Sequence, residues 1–140
     1  SFFNQDLEAT PPADWLAFRD KIQKSDAVLF VTPEYNRSIP GVLKNAIDIA
    51  SRPWGTNSFA GKPGAVIGTS AGAISTALAQ QHLRNVCVFL DIPMLQQPEA
   101  FVRYKDGLFG GDGSVTDDSV AEFLGNFVER YLDWIKRFIA

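Results

Sequence analysis

The chain carries one cysteine, one histidine and one methionine among its 140 residues. A lone Cys87 rules out an internal disulfide, and in the apolar stretch VCVFL it reads as a small buried thiol, which suits a reducing compartment. One His and one Cys at no ligand spacing argue against a zinc site built from side chains. No apolar run approaches the ~20 residues that span a bilayer. The opening SFFNQDLE also lacks the basic head and long apolar stretch of a signal peptide. Neither charge sign gathers into a run: 13 Lys and Arg against 16 Asp and Glu leave a net charge of -3, with no basic track for a phosphate backbone. Neither G-x-x-x-x-G-K-[ST] nor G-x-G-x-x-G occurs, so no strong phosphate cradle is present. These absences leave a soluble, cytoplasmic protein with neither nucleic acid nor membrane as a partner. At 46% hydrophobic residues, the expectation is a single domain over residues 1–140.

What is present alternates. Thr10 is placed to cap a first helix with Pro11 in its first turn, Trp15, Phe18 and Ile22 share a face, and the helix runs to about Lys24. AVLFVT (27–32) is a short, branched apolar run that suits a strand covered on both faces. Leu43, Ala46, Ile47 and Ala50 recur at helical spacing until Pro53 stops them. GAVIGT (64–69) repeats the strand pattern, and a third helix follows with Leu78, Leu83, Val86 and Leu90 inward. A short strand is expected at Pro93 to Gln97. A last helix carries a stripe from Val120 to Phe138, with Thr116 as its cap and Asp117 and Asp118 complementing its dipole. The glycine-rich stretches 52–63 and 101–118 read as surface loops. Strands alternating with helices predict a parallel sheet with helices on both faces and a ligand beyond the carboxyl ends of the strands. Two loops occupy that end, PEYNRS after the first strand and SAGAIST after the second, and they should lie side by side.

Gly68-Thr69-Ser70-Ala71-Gly72 matches the G-x-S-x-G elbow of serine hydrolases. Such a nucleophile needs a histidine within hydrogen-bond reach, and His82 lies on the helix leaving the loop, ~12 Å or more along it. His82 reads instead as a helix-surface or subunit-contact residue. In PEYN, Pro33 has no N–H and ends the strand ladder, which leaves the following amides free to face outward. The backbone of Glu34, Tyr35 and Asn36 can then offer donors and acceptors to a planar heterocycle, with Tyr35 adding an aromatic surface and Ser38 and Pro40 starting the next helix. SAGAIST supplies small residues that let backbone come close to a ring. The residues alone leave two readings open, a ligand ledge or a tight strand-to-helix turn.

At these residues the sequence resembles the NADPH-dependent FMN reductase family of flavodoxin-like proteins, in particular its bacterial quinone and chromate reductases. The resemblance rests on TPEYNRSIPGVLKNAID, then SRP, FAGKP, TSAG and HLRNVCVFLDIP with PE following, in the family's order and spacing. It implies a three-layer α/β/α sandwich around a parallel sheet. It also implies that Pro33, Glu34, Tyr35 and Asn36 border the isoalloxazine ring of FMN, that Ser70 and Gly72 lie on the neighbouring loop, and that Tyr35 and Arg37 flank the open face where NADPH or NADH and the acceptor take turns. The implied reaction is hydride transfer to the flavin, then two-electron reduction of a quinone or similar acceptor. The alternatives from other classes are an electron carrier or empty scaffold, and a serine hydrolase using Ser70.

Family members often carry a glycine pair where this chain has Ser75 and Thr76. They also begin with a strand, a phosphate loop, a helix and a second strand, whereas this chain starts after that N-terminal β-α-β unit, so a longer natural protein is expected. A homodimer or homotetramer is implied, with Arg84 and Glu99 as candidates for contacts across it or for an ion pair within the chain. Trp54 would cover a neighbour's flavin or pack on its own domain.

Overall fold

In the computed structural model, residues 1–139 are described. The elements alternate as the apolar pattern requires: α1 (Ala13–Gln23), β1 (Val28–Val31), α2 (Gly41–Ala50), β2 (Gly64–Ser70), α3 (Ala77–Phe89), β3 (Ala100–Arg103) and α4 (Asp118–Ile135), after a short 3-10 turn at Gln5–Leu7. The three strands are parallel in the order β1-β2-β3, with Val28 opposite Gly64 and Ser70 opposite Arg103. Each strand therefore ends at the same rim, and the loops leaving β1 and β2 are neighbours.

Two cores sandwich the sheet. On one face Phe30 and Val66 meet Ile47 and Ala50 of α2 and Leu83 and Cys87 of α3, with Phe18 and Ile22 of α1 at the margin. On the other, Ala65 and Ala100 meet Phe127 and Tyr131 of α4 alone. Within residues 1–139, α4 packs over β2 and β3. That leaves Leu29 and Val31 of β1 bare, Val31 at 73% exposure. The strand expected to be covered on both faces is thus covered on one, at the edge of the sheet.

Three further expectations change. The strand expected at 93–97 contributes only a single bridge, Met94 to Gly64, and the third strand forms within a stretch read as loop, at Ala100–Arg103. Leu78 faces outward, and the inward face of α3 is Ala79, Gln80, Leu83 and Cys87. The local caps also differ. Pro12 rather than Thr10 precedes α1, and Asp117 rather than Thr116 caps α4, accepting from the amides of Ser119 and Val120. The Ser119 hydroxyl and the Val120 amide hold the Asp117 carboxyl below its ordinary pKa. The Thr116 hydroxyl instead donates to the carbonyls of Gly107 and Leu108, closing the loop that precedes the helix.

Candidate functional site

The loop after β1 is a tight reversal. The amide of Tyr35 donates to the carbonyl of Ser38 and the amide of Ser38 returns the bond, at 2.9 and 3.0 Å. Asn36 and Arg37 between them adopt φ of 50° and 65°. Two successive left-handed residues define a type I′ turn, a conformation that asparagine tolerates well and arginine poorly. Pro33 begins this reversal and Pro40 ends it, which is why strand and helix are separated by so short a loop. The turn corrects one expectation: both backbone groups of Tyr35 are engaged inside it and are not free for a ligand.

Side chains tie this turn to α3. The Glu34 carboxylate accepts from the amides of Leu78 and Ala79, both at 3.0 Å. These are donors that the first turn of a helix leaves without intrahelical partners. Thr76, the residue before the helix, makes no side-chain cap because its hydroxyl points into the core and accepts from Gln80 Nε2. Glu34, 44 residues earlier in the chain, caps the helix in its place. One turn further on, His82 Nδ1 lies 2.9 Å from Ser38 Oγ. Ser38 therefore serves α3 and does not cap α2, whose first turn has no side-chain cap. No sequence signal pointed to either contact, since each joins residues far apart in the chain.

The loop after β2 is an arch with fixed feet. At its start the Gly72 amide donates to Ser70 Oγ, and the Ser70 carbonyl accepts from the amide of Tyr104 beyond β3. At its end Ser75 and Thr76 are buried. Gly68 lets the arch sit close to the sheet: a Cβ there would fall 2.3 Å from the Thr32 carbonyl oxygen and 2.5 Å from Thr76 Oγ1. Between the feet, Ala71, Gly72, Ala73 and Ile74 are exposed.

The two loops together form an open ledge at the carboxyl ends of β1 and β2. Among the described residues, the amides of Glu34, Asn36, Ala71, Ala73 and Ile74 have no backbone acceptor. They stand beside small side chains, with Tyr35 at 60% exposure and Ile74 at 47%. At an accessible rim these amides are free to donate to water or to a ligand, and an edge of alternating donors and acceptors on a flat apolar ring is one acceptor they suit. Pro33, Glu34 and Asn36 on one loop and Ser70 and Gly72 on the other thus share one rim of the sheet, with Tyr35 and Arg37 exposed on the same turn. The α3 amino end offers no phosphate seat, because the Glu34 carboxylate already fills it.

Ser70 does not have a catalytic serine's surroundings. Its hydroxyl accepts from Gly72, and the histidine's Nδ1 is engaged with Ser38. Arg84 donates to the Leu95 carbonyl and forms no ion pair with Glu99, though both line a groove of about 600 Å³ beneath α3. Trp54 is 76% exposed, with its ring 6.2 Å from that of Phe89, beside a cavity of about 390 Å³ that is lined by neither ledge loop.

Known proteins resemble this chain in sequence and in fold. A family model described as NADPH-dependent FMN reductase matches residues 1–106. A 2-hydroxy-1,4-benzoquinone reductase of a Burkholderia species is 46% identical over 134 residues, covering 96% of this chain and 73% of its own length. A quinone reductase of Pseudomonas putida is 50% identical, covering 96% of this chain and 72% of its own length. Among solved structures, the flavoenzyme NAD(P)H:(acceptor) oxidoreductase FerB of Paracoccus denitrificans superposes with a TM-score of 0.94 at 49% identity, over 99% of this chain and 76% of that one.

Proposed function

The chain belongs to the NADPH-dependent FMN reductase family, and from that premise we propose that it works as an FMN-dependent NAD(P)H:quinone oxidoreductase. The observation that carries this reading is the ledge of unpartnered amides at the shared rim of β1 and β2, held in place by the Glu34 carboxylate. When bound, FMN supplies the two-electron chemistry between a nicotinamide donor and a quinone. The residues of this chain supply position. The amides of Glu34, Asn36, Ala71, Ala73 and Ile74 would hold the ring edge, where donors would offset negative charge without rearrangement. Such a site needs no side-chain acid and base pair, in keeping with the internal contacts made by Glu34 and His82. Tyr35 and Arg37, both exposed on the same turn, flank the face open to donor and acceptor.

The proposed setting is the cytoplasm, and the proposed assembly a homodimer or homotetramer. No helix among the described residues is long and apolar enough to cross a membrane. The test is an anaerobic spectrum of the purified protein with FMN. Bleaching of the flavin bands by NADPH or NADH, and their return on adding a benzoquinone, is the expected result. Colour without bleaching would make the protein an electron carrier, and failure to retain FMN in the full-length natural protein would refute the reading altogether.

A further inference from the structure

Ser75 combines three features that together ask for an explanation. It is 4% exposed, its φ is 48°, and its hydroxyl donates to the Val102 carbonyl of β3 at 2.7 Å. A left-handed conformation is disfavoured for any residue with a Cβ and persists only where the surroundings impose it. Here the imposing contact is visible. The Ser75 amide closes the turn onto the Gly72 carbonyl at 3.0 Å, while the hydroxyl fixes the same residue to the neighbouring strand. The next turn is fixed to the same strand, since Gln80 Nε2 donates both to Thr76 Oγ1 and to the Ala100 carbonyl, at 3.0 and 2.9 Å.

We propose that Ser75 is a positioning residue for the cofactor: its hydroxyl tether to β3 holds the left-handed turn that aims the amides between Ala71 and Ile74 at the ring. This rests on the ledge being the flavin site. The physical argument is that the crown of the arch is otherwise held only through Gly72, whose amide donates to Ser70 Oγ and whose carbonyl accepts from the Ser75 amide. Its four residues are exposed, three of them are alanine or glycine and Ile74 stands half exposed, so their direction is set by the backbone at the two feet. The first foot is a strand end already paired through the Ser70 carbonyl to Tyr104. At the second, the backbone takes its sign from Ser75, so releasing the tether allows φ to return to the negative region and turns the crown away. A glycine would permit the positive φ equally well but would not enforce it, so the serine provides an enforced geometry where glycine provides a permitted one.

The test compares wild type with Ser75→Ala and Ser75→Gly in two measurements. In the free protein, amide chemical shifts and hydrogen exchange of Ala71 to Ile74 should change in both variants, more so in Ser75→Ala, whose Cβ disfavours the positive φ that glycine still permits. In the loaded protein, the FMN dissociation constant should rise about five- to tenfold, the scale of one buried hydrogen bond, and the visible circular dichroism of the flavin should change with it. Ser75→Gly keeps a backbone that accepts the left-handed turn, so its weaker binding cannot be assigned to misfolding. Crown amides identical to wild type, or both variants binding FMN within twofold of wild type, would overturn the inference while leaving the proposed function standing. Wild-type protein that binds no FMN would instead sink the functional reading, and with it the role given to Ser75.

Discussion

Removing the Glu34 carboxylate should loosen the site and the fold together. Its single oxygen Oε2 accepts two amides of the α3 first turn at 3.0 Å each, and the helix has no local side-chain cap. Losing a capping side chain costs about 1 kcal/mol, and losing a negative charge at a helix amino end adds roughly 0.3–1 kcal/mol. Glu34→Ala should therefore destabilise the protein by about 1.3–2 kcal/mol. At about 4 °C per kcal/mol for a chain of this size, that is a fall in Tm of ~5–8 °C. Glu34→Gln keeps an acceptor oxygen and loses only the charge, so its fall should be about 1–4 °C by the same conversion. Because the carboxylate joins the turn after β1 to the helix after β2, FMN affinity should fall in the same order, Ala more than Gln. Thermal unfolding with and without FMN, followed by circular dichroism and flavin fluorescence, measures both. A Glu34→Ala protein that melts within 1 °C of wild type and binds FMN equally well would refute the idea that this contact holds the two loops together.

Gly68→Ala should cost about 1–3 kcal/mol or more in urea unfolding, because its Cβ would collide with the Thr32 carbonyl and the Thr76 side chain and drive the two loops apart. A neutral result would show that the arch can lift without consequence. Tyr35→Ala removes an aromatic surface that is 60% exposed. Steady-state kinetics should show KM for a benzoquinone rising about 2- to 12-fold, the span of one aromatic contact, with the FMN dissociation constant unchanged. Burial pushes the Cys87 thiol from its ordinary value of 9.0 up to about 12, against the weaker pull of Arg84. A raised folded value means that this stabilisation is complete below the unfolded pKa and is lost as pH rises through the folded one. Between pH 9 and 12, urea unfolding of wild type should therefore show an extra loss of stability, of up to about 1.4 kcal/mol per pH unit, that is absent in Cys87→Ala. Parallel pH profiles for the two proteins would count against a buried neutral thiol.

The order of elements was legible because each helix carries its own apolar period and β2 is a continuous apolar run. The site's location followed from that order, since parallel strands joined by helices leave their loops at one rim. Less legible was anything decided across the sheet. Ala100–Arg103 holds two large apolar residues in a stretch continuous with a glycine-rich loop, and it becomes a strand through its pairing with β2. At the site, PEYN and SAGAIST marked the loops, but not how they are joined. Glu34 was read for its backbone alone, and its side chain is found capping α3, while Ser38 was read as starting α2 and is found bonded to His82. Contacts across 44 residues leave no local period or spacing from which to read them. The left-handed pair Asn36 and Arg37 was equally hidden, because arginine carries no turn signal of its own.

The most direct measurement is a titration of the isotopically labelled full chain with FMN, following each backbone amide by NMR. Shifts should concentrate at Glu34, Asn36 and the run from Ala71 to Ile74, the amides that lack backbone partners in the free protein. Perturbations centred instead on Trp54 and Phe89, at the cavity away from both loops, would show that the ring lodges elsewhere and that the ledge is only a pair of tight turns.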